Sequence, residues 1–185
     1  QGRPPPAPGG GDPYRHYVEN IVSRLAIHYG NNPTVIGWQI DNEPGHYGVV
    51  DYSENAQAKF RIWLQKKYGT IDKLNDTWGA SFWSETYQNF EQVRLPNQQE
   101  VPDKANPHAM LDLNRFMADE LAGFVNMQAD ILRRHIHKDQ WITTNLIPIF
   151  NPVDPVRIDH PDFLTYTRYL VTGHNQGIGS PGFRM

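Results

Sequence analysis

The chain has 185 residues, of which 38% are apolar and 20% charged, a composition typical of a soluble folded protein rather than a disordered one. The net charge is −3 and the basic residues are scattered, so we expect no nucleic-acid partner, since phosphate binding needs a clustered basic surface. No apolar run approaches the roughly 20 residues of a membrane span, so no membrane partner is expected. The absence of cysteine excludes disulfides and thiolate metal sites and leaves the cellular compartment unknown.

The first third of the chain reads as a tail, a helix and a strand. Residues 1–11 are rich in proline and glycine, and we expect a flexible loop or tail there. A helix is predicted from Pro13 to Gly30, and its apolar side chains recur at helical spacing, so they should pack on a core: Tyr14, Tyr17, Val18, Ile21, Val22 and Leu25. Residues 34–41 form a short apolar run that predicts a strand covered on both faces.

Helices and strands alternate through the rest of the chain. Helices are predicted over 52–68, with Asp51 and Glu54 placed like a capping box, over 71–78, and over about 108–137. Further strands are predicted at 141–146 and 162–166. Residues 80–107 follow no period, and their aromatic content favours an ordered loop that lines a site. The order of elements indicates an α/β fold with parallel strands.

Polar residues end the first predicted strand, in the sequence "VIGWQIDNEPG". In folds built from parallel strands, the functional site lies in the loops that follow the carboxyl ends of the strands. Glu43 there is positioned as a general acid, and Asn42 beside it can hydrogen-bond a neutral polyol. The same residue types also form plain turns, and Pro44-Gly45 is a turn signal by itself, so a structural turn is the competing interpretation.

The aromatic content shifts the balance toward a sugar site. Sugar rings bind by stacking on indoles, and the chain has more large aromatic residues than a core of this size usually needs. Trp63 and Trp78 are nevertheless expected in the core.

Four stretches together resemble the catalytic barrel of glycoside hydrolase family 42, the β-galactosidases. These are "VIGWQIDNEPG", "YGTIDKLNDTWGASFWSETY", "DKANPHAMLDLNRFMADELAGFVNMQADILRRH" and "WITTN". The resemblance implies part of a (β/α)8 TIM barrel, from about the third helix to the sixth strand, over the whole of residues 1–185. We expect the chain to be a fragment that is inactive and marginally stable alone, since three strands cannot close a barrel.

The resemblance also implies a reaction: retaining hydrolysis of terminal β-galactosides by two glutamates. Glu43 matches the general acid/base, Asn42 the asparagine that contacts the sugar 2-hydroxyl, and Trp83 the tryptophan that walls the galactose site. Such a mechanism needs no cofactor, and its partner is a β-galactoside. Members of the family are often trimers, so a homotrimer is the expectation for the full-length protein.

The sequence departs from the family pattern in three places. The strand that carries the family's nucleophile lies downstream of this chain, so no nucleophile is assigned. The cysteine cluster that binds zinc in many members has no counterpart, so no metal site is expected. "TYTRYL" has Arg168 where the family often has aspartate, which leaves Tyr169 a weak candidate for substrate contact.

Two alternatives to a β-galactosidase stay open on the sequence. One is a related retaining glycosidase that acts on other β-glycosides, and the other is a non-catalytic sugar-binding relative. His46 and Asn145 are secondary candidates, because both could face the same end of the sheet as Glu43.

Overall fold

The computed structural model describes residues 13–45, 50–97, 106–147 and 153–167. The predicted tail at 1–11, the candidates His46 and Tyr169, and Arg168 lie outside these residues. The chain forms two compact units: the first comprises Gln1–Tyr47 and Leu121–Met185, and the second Gly48–Glu120. In chain order the helices and strands are α1 (Pro13–Tyr29), β1 (Gly37–Gln39), α2 (Glu54–Tyr68), α3 (Ile71–Trp78), α4 (Pro107–Arg133), β2 (Trp141–Leu146) and β3 (Phe163–Tyr166).

The first unit contains a three-stranded sheet in the order β1-β2-β3, and both pairs of strands are parallel. Gln39 lies opposite Thr143, and Thr143 lies opposite Phe163. The predicted parallel pairing is confirmed. Parallel strands end at the same edge of the sheet, so the carboxyl ends of all three strands are neighbours.

The two faces of this sheet differ because side chains alternate along a strand. One face carries Ile40, Ile142 and Leu146, which form a buried cluster with Ala122, Val125 and Ala129 from the second half of α4. The other face carries Gln39, Thr143 and Asn145, whose positions have the opposite parity. At the carboxyl ends of β1 and β2, this second face therefore presents polar side chains.

Helix α1 has the predicted bounds but a different buried side. Tyr14, Tyr17 and Ile21 are more than half exposed, and only Ala26 is fully buried, with Val22 packed beside it on the sheet cluster. The prediction that the whole apolar stripe packs on a core is therefore wrong for the described residues. Val22 and Ala26 make the contact with the sheet cluster, whereas Tyr14 stacks on Phe124 of α4 at 5.5 Å between ring centroids and stays largely exposed.

The second unit is helical, and α2, α3 and the first half of α4 enclose its core. Phe60, Leu64, Leu74, Trp78 and Leu113 are completely or almost completely buried there. The placement of Trp78 in the core is confirmed, and Trp63 packs beside it with partial exposure. Within the described part of the predicted loop at 80–107, Val93 and Leu95 insert into the same core after a 3-10 turn at Phe90–Gln92.

The N-terminus of α2 is capped by Ser53 and not by the predicted Asp51. The Ser53 hydroxyl accepts a hydrogen bond from the Ala56 N–H at 3.2 Å. Asp51 supports the cap instead, since its carboxylate accepts from the backbone N–H of Ser53 at 2.8 Å and from its hydroxyl at 3.0 Å. The helix begins at Glu54, directly after Ser53. The capping position therefore lies two residues later than predicted, at the serine.

Asp112 is a buried carboxylate at the centre of the second unit, with 1% of its surface exposed. It accepts hydrogen bonds from Lys67, Tyr68 and the Trp78 indole, and it pairs with Arg115 at 3.4 Å. Burial by itself would raise the pKa of this carboxyl, but the donors, Lys67 foremost, outweigh burial and lower the pKa. The same burial and the bond to Asp112 raise the pKa of Tyr68.

Helix α4 ends at Arg133, four residues before the predicted His137. The chain turns there, with the N–H groups of His135 and Ile136 both bonded to the Leu132 carbonyl oxygen, and the His137 N–H then bonds the Gly30 carbonyl oxygen at 3.0 Å. None of the helices in the described part of the chain is long and apolar enough to cross a membrane.

Candidate active site

The chain leaves strand geometry directly after β1. The Ile40 N–H still bonds the Thr143 carbonyl at 2.7 Å, but Asp41 and Glu43 then adopt positive φ angles of 49° and 52°. Such angles are uncommon for residues other than glycine and cost of order 1–3 kcal/mol each unless the surroundings enforce them. Strain of this kind clusters at functional sites. The segment that carries Asn42 and Glu43 is therefore held in a conformation that its own residues do not prefer.

Asn145 at the end of β2 supplies much of this hold. Its Oδ1 accepts from the backbone N–H of Glu43 at 3.0 Å and from Gln39 Nε2 at 3.1 Å. Its Nδ2 donates to Asn42 Oδ1 at 3.0 Å and to Thr167 Oγ1 at 2.8 Å. Asn145 thus links the ends of β1, β2 and β3 through one side chain.

These bonds also assign the polarity of the two amides. A backbone N–H can only donate, so the atom of Asn145 that faces Glu43 must be its oxygen. The Asn145 Nδ2 then faces Asn42, which must present its own Oδ1 to it. The Nδ2 of Asn42 is left as the end that can donate to a ligand oxygen.

Asp41 is held from the opposite side of the segment. Gln128 of α4 is 6% exposed, and its Nε2 donates to Asp41 Oδ2 at 2.7 Å. Two residues after Glu43, Gly45 has φ +80°, and a Cβ there would lie 2.8 Å from Val153 Cγ2. Glycine is therefore required at this turn for both its angle and its lack of a side chain.

Two of the three predicted site residues, Asn42 and Glu43, are neighbours in the chain and lie in the first unit at the end of β1. Asn42 is exposed and Glu43 is half-buried, as a proton donor that must reach a solvent-borne substrate should be. The secondary candidate Asn145 lies with them, but its polar atoms are engaged by protein groups. Sequence reasoning missed Gln39, Gln128 and Thr167, because a lone glutamine or threonine carries no signal until the fold places it.

Trp83, the third predicted residue, lies in the second unit. It follows α3 in a turn, is partly buried, and contacts the ring of Phe82 edge to face at 5.2 Å between centroids. Phe82 itself is 82% exposed. The next residue, Ser84, is the third non-glycine residue with positive φ in the described chain.

The loop after Trp83 is fastened to α3 by Asn75. Its Nδ2 donates to the Tyr87 carbonyl at 2.7 Å, and its Oδ1 accepts from the Tyr87 N–H at 3.0 Å. Burial raises the pKa of the Glu85 carboxyl, and burial together with the nearby charge of Glu85 raises the pKa of Tyr87 to about 12. The loop is ordered here, as predicted.

Among the described residues, no group of three or more histidine or acidic side chains could hold a metal ion. The chemistry available at the strand end is that of a carboxyl beside an amide. Such a pair can exchange a proton with a substrate oxygen and hydrogen-bond a hydroxyl group.

Comparison with known proteins identifies the family. The family model described as beta-galactosidase, glycoside hydrolase family 42, matches residues 10–181. The beta-galactosidase BgaA of a Thermus species is 39% identical over 158 residues, which are 84% of this chain and 24% of that protein. The chain therefore spans about a quarter of the length of this relative.

Solved structures of the same family share the fold. A beta-galactosidase from Marinomonas ef1 superposes with a TM-score of 0.79 at 35% identity, over 86% of this chain and 24% of that one. A catalytic mutant of Gan42B, a family 42 β-galactosidase from G. stearothermophilus, superposes with a TM-score of 0.77 at 30% identity, over 91% and 25%. The predicted fold class is confirmed: the parallel strands are part of a (β/α)8 TIM barrel. The chain belongs to glycoside hydrolase family 42.

Proposed function

We propose that the full-length protein hydrolyses terminal non-reducing β-D-galactose residues from β-galactosides, with retention of anomeric configuration. Membership of a family described as beta-galactosidase supports the reaction class. The observation that carries the assignment to this chain is Glu43: a half-buried carboxyl at the end of a barrel strand, on a strained segment fixed by Asn145.

Glu43 serves as general acid and then as general base. In the first step its proton goes to the glycosidic oxygen while a second carboxylate attacks the anomeric carbon, so the aglycone leaves as an alcohol and a glycosyl-enzyme forms. In the second step the Glu43 carboxylate takes a proton from water, and the resulting hydroxide displaces the enzyme carboxylate and releases galactose.

The second carboxylate belongs to the part of the protein that this chain does not span. A retaining mechanism places the two carboxyl groups about 5 Å apart across the sugar. The described glutamates other than Glu43 lie on helices, in the 3-10 turn or in the loop after α3, and none follows a strand: Glu19, Glu54, Glu85, Glu91 and Glu120. On the family resemblance, we expect the nucleophile on a strand downstream of β3.

Asn42 and Trp83 complete the proposed substrate contacts. The bond from Asn145 leaves Asn42 Nδ2 as a donor, which suits the oxygen of the sugar 2-hydroxyl. Trp83, proposed on the family resemblance, offers an indole face for the apolar C–H face of galactose.

The test is Glu43→Gln in the full-length protein, because glutamine keeps the shape of the side chain but cannot transfer a proton. With phenyl β-galactoside, whose phenol is a poor leaving group, kcat/KM should fall by about 10²–10⁴-fold. With 2,4-dinitrophenyl β-galactoside, which leaves without a proton, kcat/KM should change little and kcat should fall. Azide should restore kcat and yield β-galactosyl azide, because it attacks the glycosyl-enzyme without a general base.

Glu19→Gln is the matched control, since Glu19 is an exposed glutamate on α1. It should behave as the unaltered protein with both substrates. Unchanged hydrolysis of phenyl β-galactoside by Glu43→Gln would remove the acid/base assignment. Faster hydrolysis of phenyl β-glucoside than of phenyl β-galactoside would show that the substrate is a β-glucoside and not a β-galactoside. Binding of galactose without hydrolysis of either glycoside would favour a sugar-binding relative.

A further inference from the structure

We propose that Asn145 is a positioning residue that sets the direction from which Glu43 delivers its proton. The inference rests on the proposed function of Glu43 and extends it to a residue on the neighbouring strand. Asn145 does not need to touch the substrate for this role, since it acts on the backbone that carries the acid.

The first step of the argument is the backbone bond. Between Gln39 and Ile40 the β1 strand is held by backbone pairing, as in the 2.7 Å bond from Ile40 to Thr143. At Glu43 the partner is no longer a backbone carbonyl but the Asn145 Oδ1, 3.0 Å away. The backbone N–H of Glu43 is thus held by a side chain and not by the neighbouring strand's backbone.

The second step is strain. Glu43 has φ 52°, a conformation that costs free energy for a residue with a side chain. An anchor on its N–H favours this conformation over the extended one, so loss of the anchor should let the segment relax and move the carboxyl. Displacement of a catalytic group by about 1 Å can cost 10²-fold in rate.

The third step is that Asn145 is itself held on all sides. Its oxygen accepts two hydrogen bonds and its nitrogen donates two, with Thr167 and Gln39 fixing the amide from the flanking strands. A fully engaged amide between three strand ends has one orientation available. This rigidity suits an anchor and leaves the side chain no group with which to bind a sugar directly.

The experiment measures kcat/KM of the full-length Asn145→Ala variant on aryl β-galactosides whose phenol leaving groups span pKa values from about 4 to 10. A misplaced acid harms only the substrates that need protonation. We expect a loss of about 10–100-fold on phenyl β-galactoside and less than about threefold on the dinitrophenyl compound. A role in stability alone would lower all rates equally.

Two further variants keep the outcome decisive. Asn145→Gln retains both polar ends but shifts them by one methylene, so it should fold and show the same dependence on leaving group with a smaller loss. Asn126→Ala is the matched control on α4, because that amide also links separate segments, through three bonds to the Arg157 carbonyl, Asp159 Oδ1 and the His160 N–H. It should lower thermal stability without any dependence on leaving group.

Equal losses across all leaving groups in both Asn145 variants, or the same slope in Asn126→Ala, would overturn the positioning role. Glu43→Gln measured on the same series separates this result from failure of the proposed function. A leaving-group dependence in Glu43→Gln without one at Asn145 rejects only the positioning role, whereas its absence in Glu43→Gln rejects the function on which the role depends.

Discussion

The indole of Trp141 on β2 occupies the space in which a side chain of Gly37 on β1 would stand. The two residues are partners in the parallel register, and a Cβ on Gly37 would lie 2.1 Å from Cδ2 of the ring. The ring in turn packs against Phe163 on β3, with 5.4 Å between centroids. The packing of Trp141 at the amino-terminal end of the sheet thus depends on the absence of a side chain at residue 37.

Gly37→Ala should therefore destabilise the sheet. Overpacking of this kind typically costs about 1–3 kcal/mol. The thermal unfolding temperature of the full-length protein should fall, and amide hydrogen exchange at β1 should accelerate. Adding Trp141→Ala to the alanine variant should give a smaller loss than the sum of the two single changes, because it removes the atoms that clash.

The matched control is Gly123→Ala on α4, where, among the described residues, no atom outside the helix's own backbone lies within 4 Å of the added Cβ. Since alanine is the better helix former, this change should stabilise the helix by about 0.5–1 kcal/mol. The same chemical substitution is thus expected to have opposite signs at the two positions. Equal effects would contradict the packing seen at Gly37.

Asp112 should make the second unit sensitive to acid. Its pKa is lowered in the folded state from an ordinary value of 3.8, so its stabilisation is complete above that value and is lost as the pH falls through the lower folded value. Asp112→Asn should abolish this loss on the acid side. Above pH 4 the variant should be less stable, near the lower end of the about 3–5 kcal/mol typical of a broken buried ion pair, because the Lys67 amine is 30% exposed.

Hydrogen exchange of α2 as a function of pH measures this effect within the full-length protein. Asp76→Asn, an exposed aspartate on α3, provides the comparison and should leave both protection and its pH dependence unchanged. If Asp112→Asn were as protected as the unaltered protein at neutral pH, the ion pair would contribute nothing to the stability of this unit.

Ser53 caps α2 directly and Asp51 only supports that cap, so substitutions at the two positions should differ in their cost. Ser53→Ala removes the acceptor of the Ala56 N–H and should cost about 0.5–2 kcal/mol, with faster exchange in the first turn of the helix. Asp51→Ala should cost less, because it removes only the support of the serine. Thr70→Ala, which removes the cap of α3, should leave the first turn of α2 unaffected.

Local pattern was sufficient for most of the secondary structure. The bounds of α3 and β2 agree with the predicted ones, since Thr70 and Gly79 delimit α3 and β2 is a short run of β-branched residues. Errors arose where a distant residue decides. Strand β1 ends earlier than predicted because the chain turns into positive φ at Asp41, and α4 ends earlier than predicted, before His137 bonds Gly30.

The site divides in the same way. Glu43 and Asn42 could be selected as candidates from the sequence because a carboxylate and an amide at the end of an apolar strand form a local motif, and their roles stay predictions. The bonds from Asn145 and Gln128 could not, since these residues lie 102 and 87 positions away from their partners along the chain. Trp83 was found by resemblance, and its role stays a prediction.

The change from backbone pairing to side-chain pairing after Ile40 has a consequence for how such a barrel can diverge. Backbone bonds within the sheet are insensitive to most substitutions, so the register of β1 on β2 survives sequence drift. The bond that holds the Glu43 N–H, in contrast, is made by the side chain of a single residue, Asn145. A substitution at that position is therefore expected to move the Glu43 carboxyl while the strands beneath it stay in place.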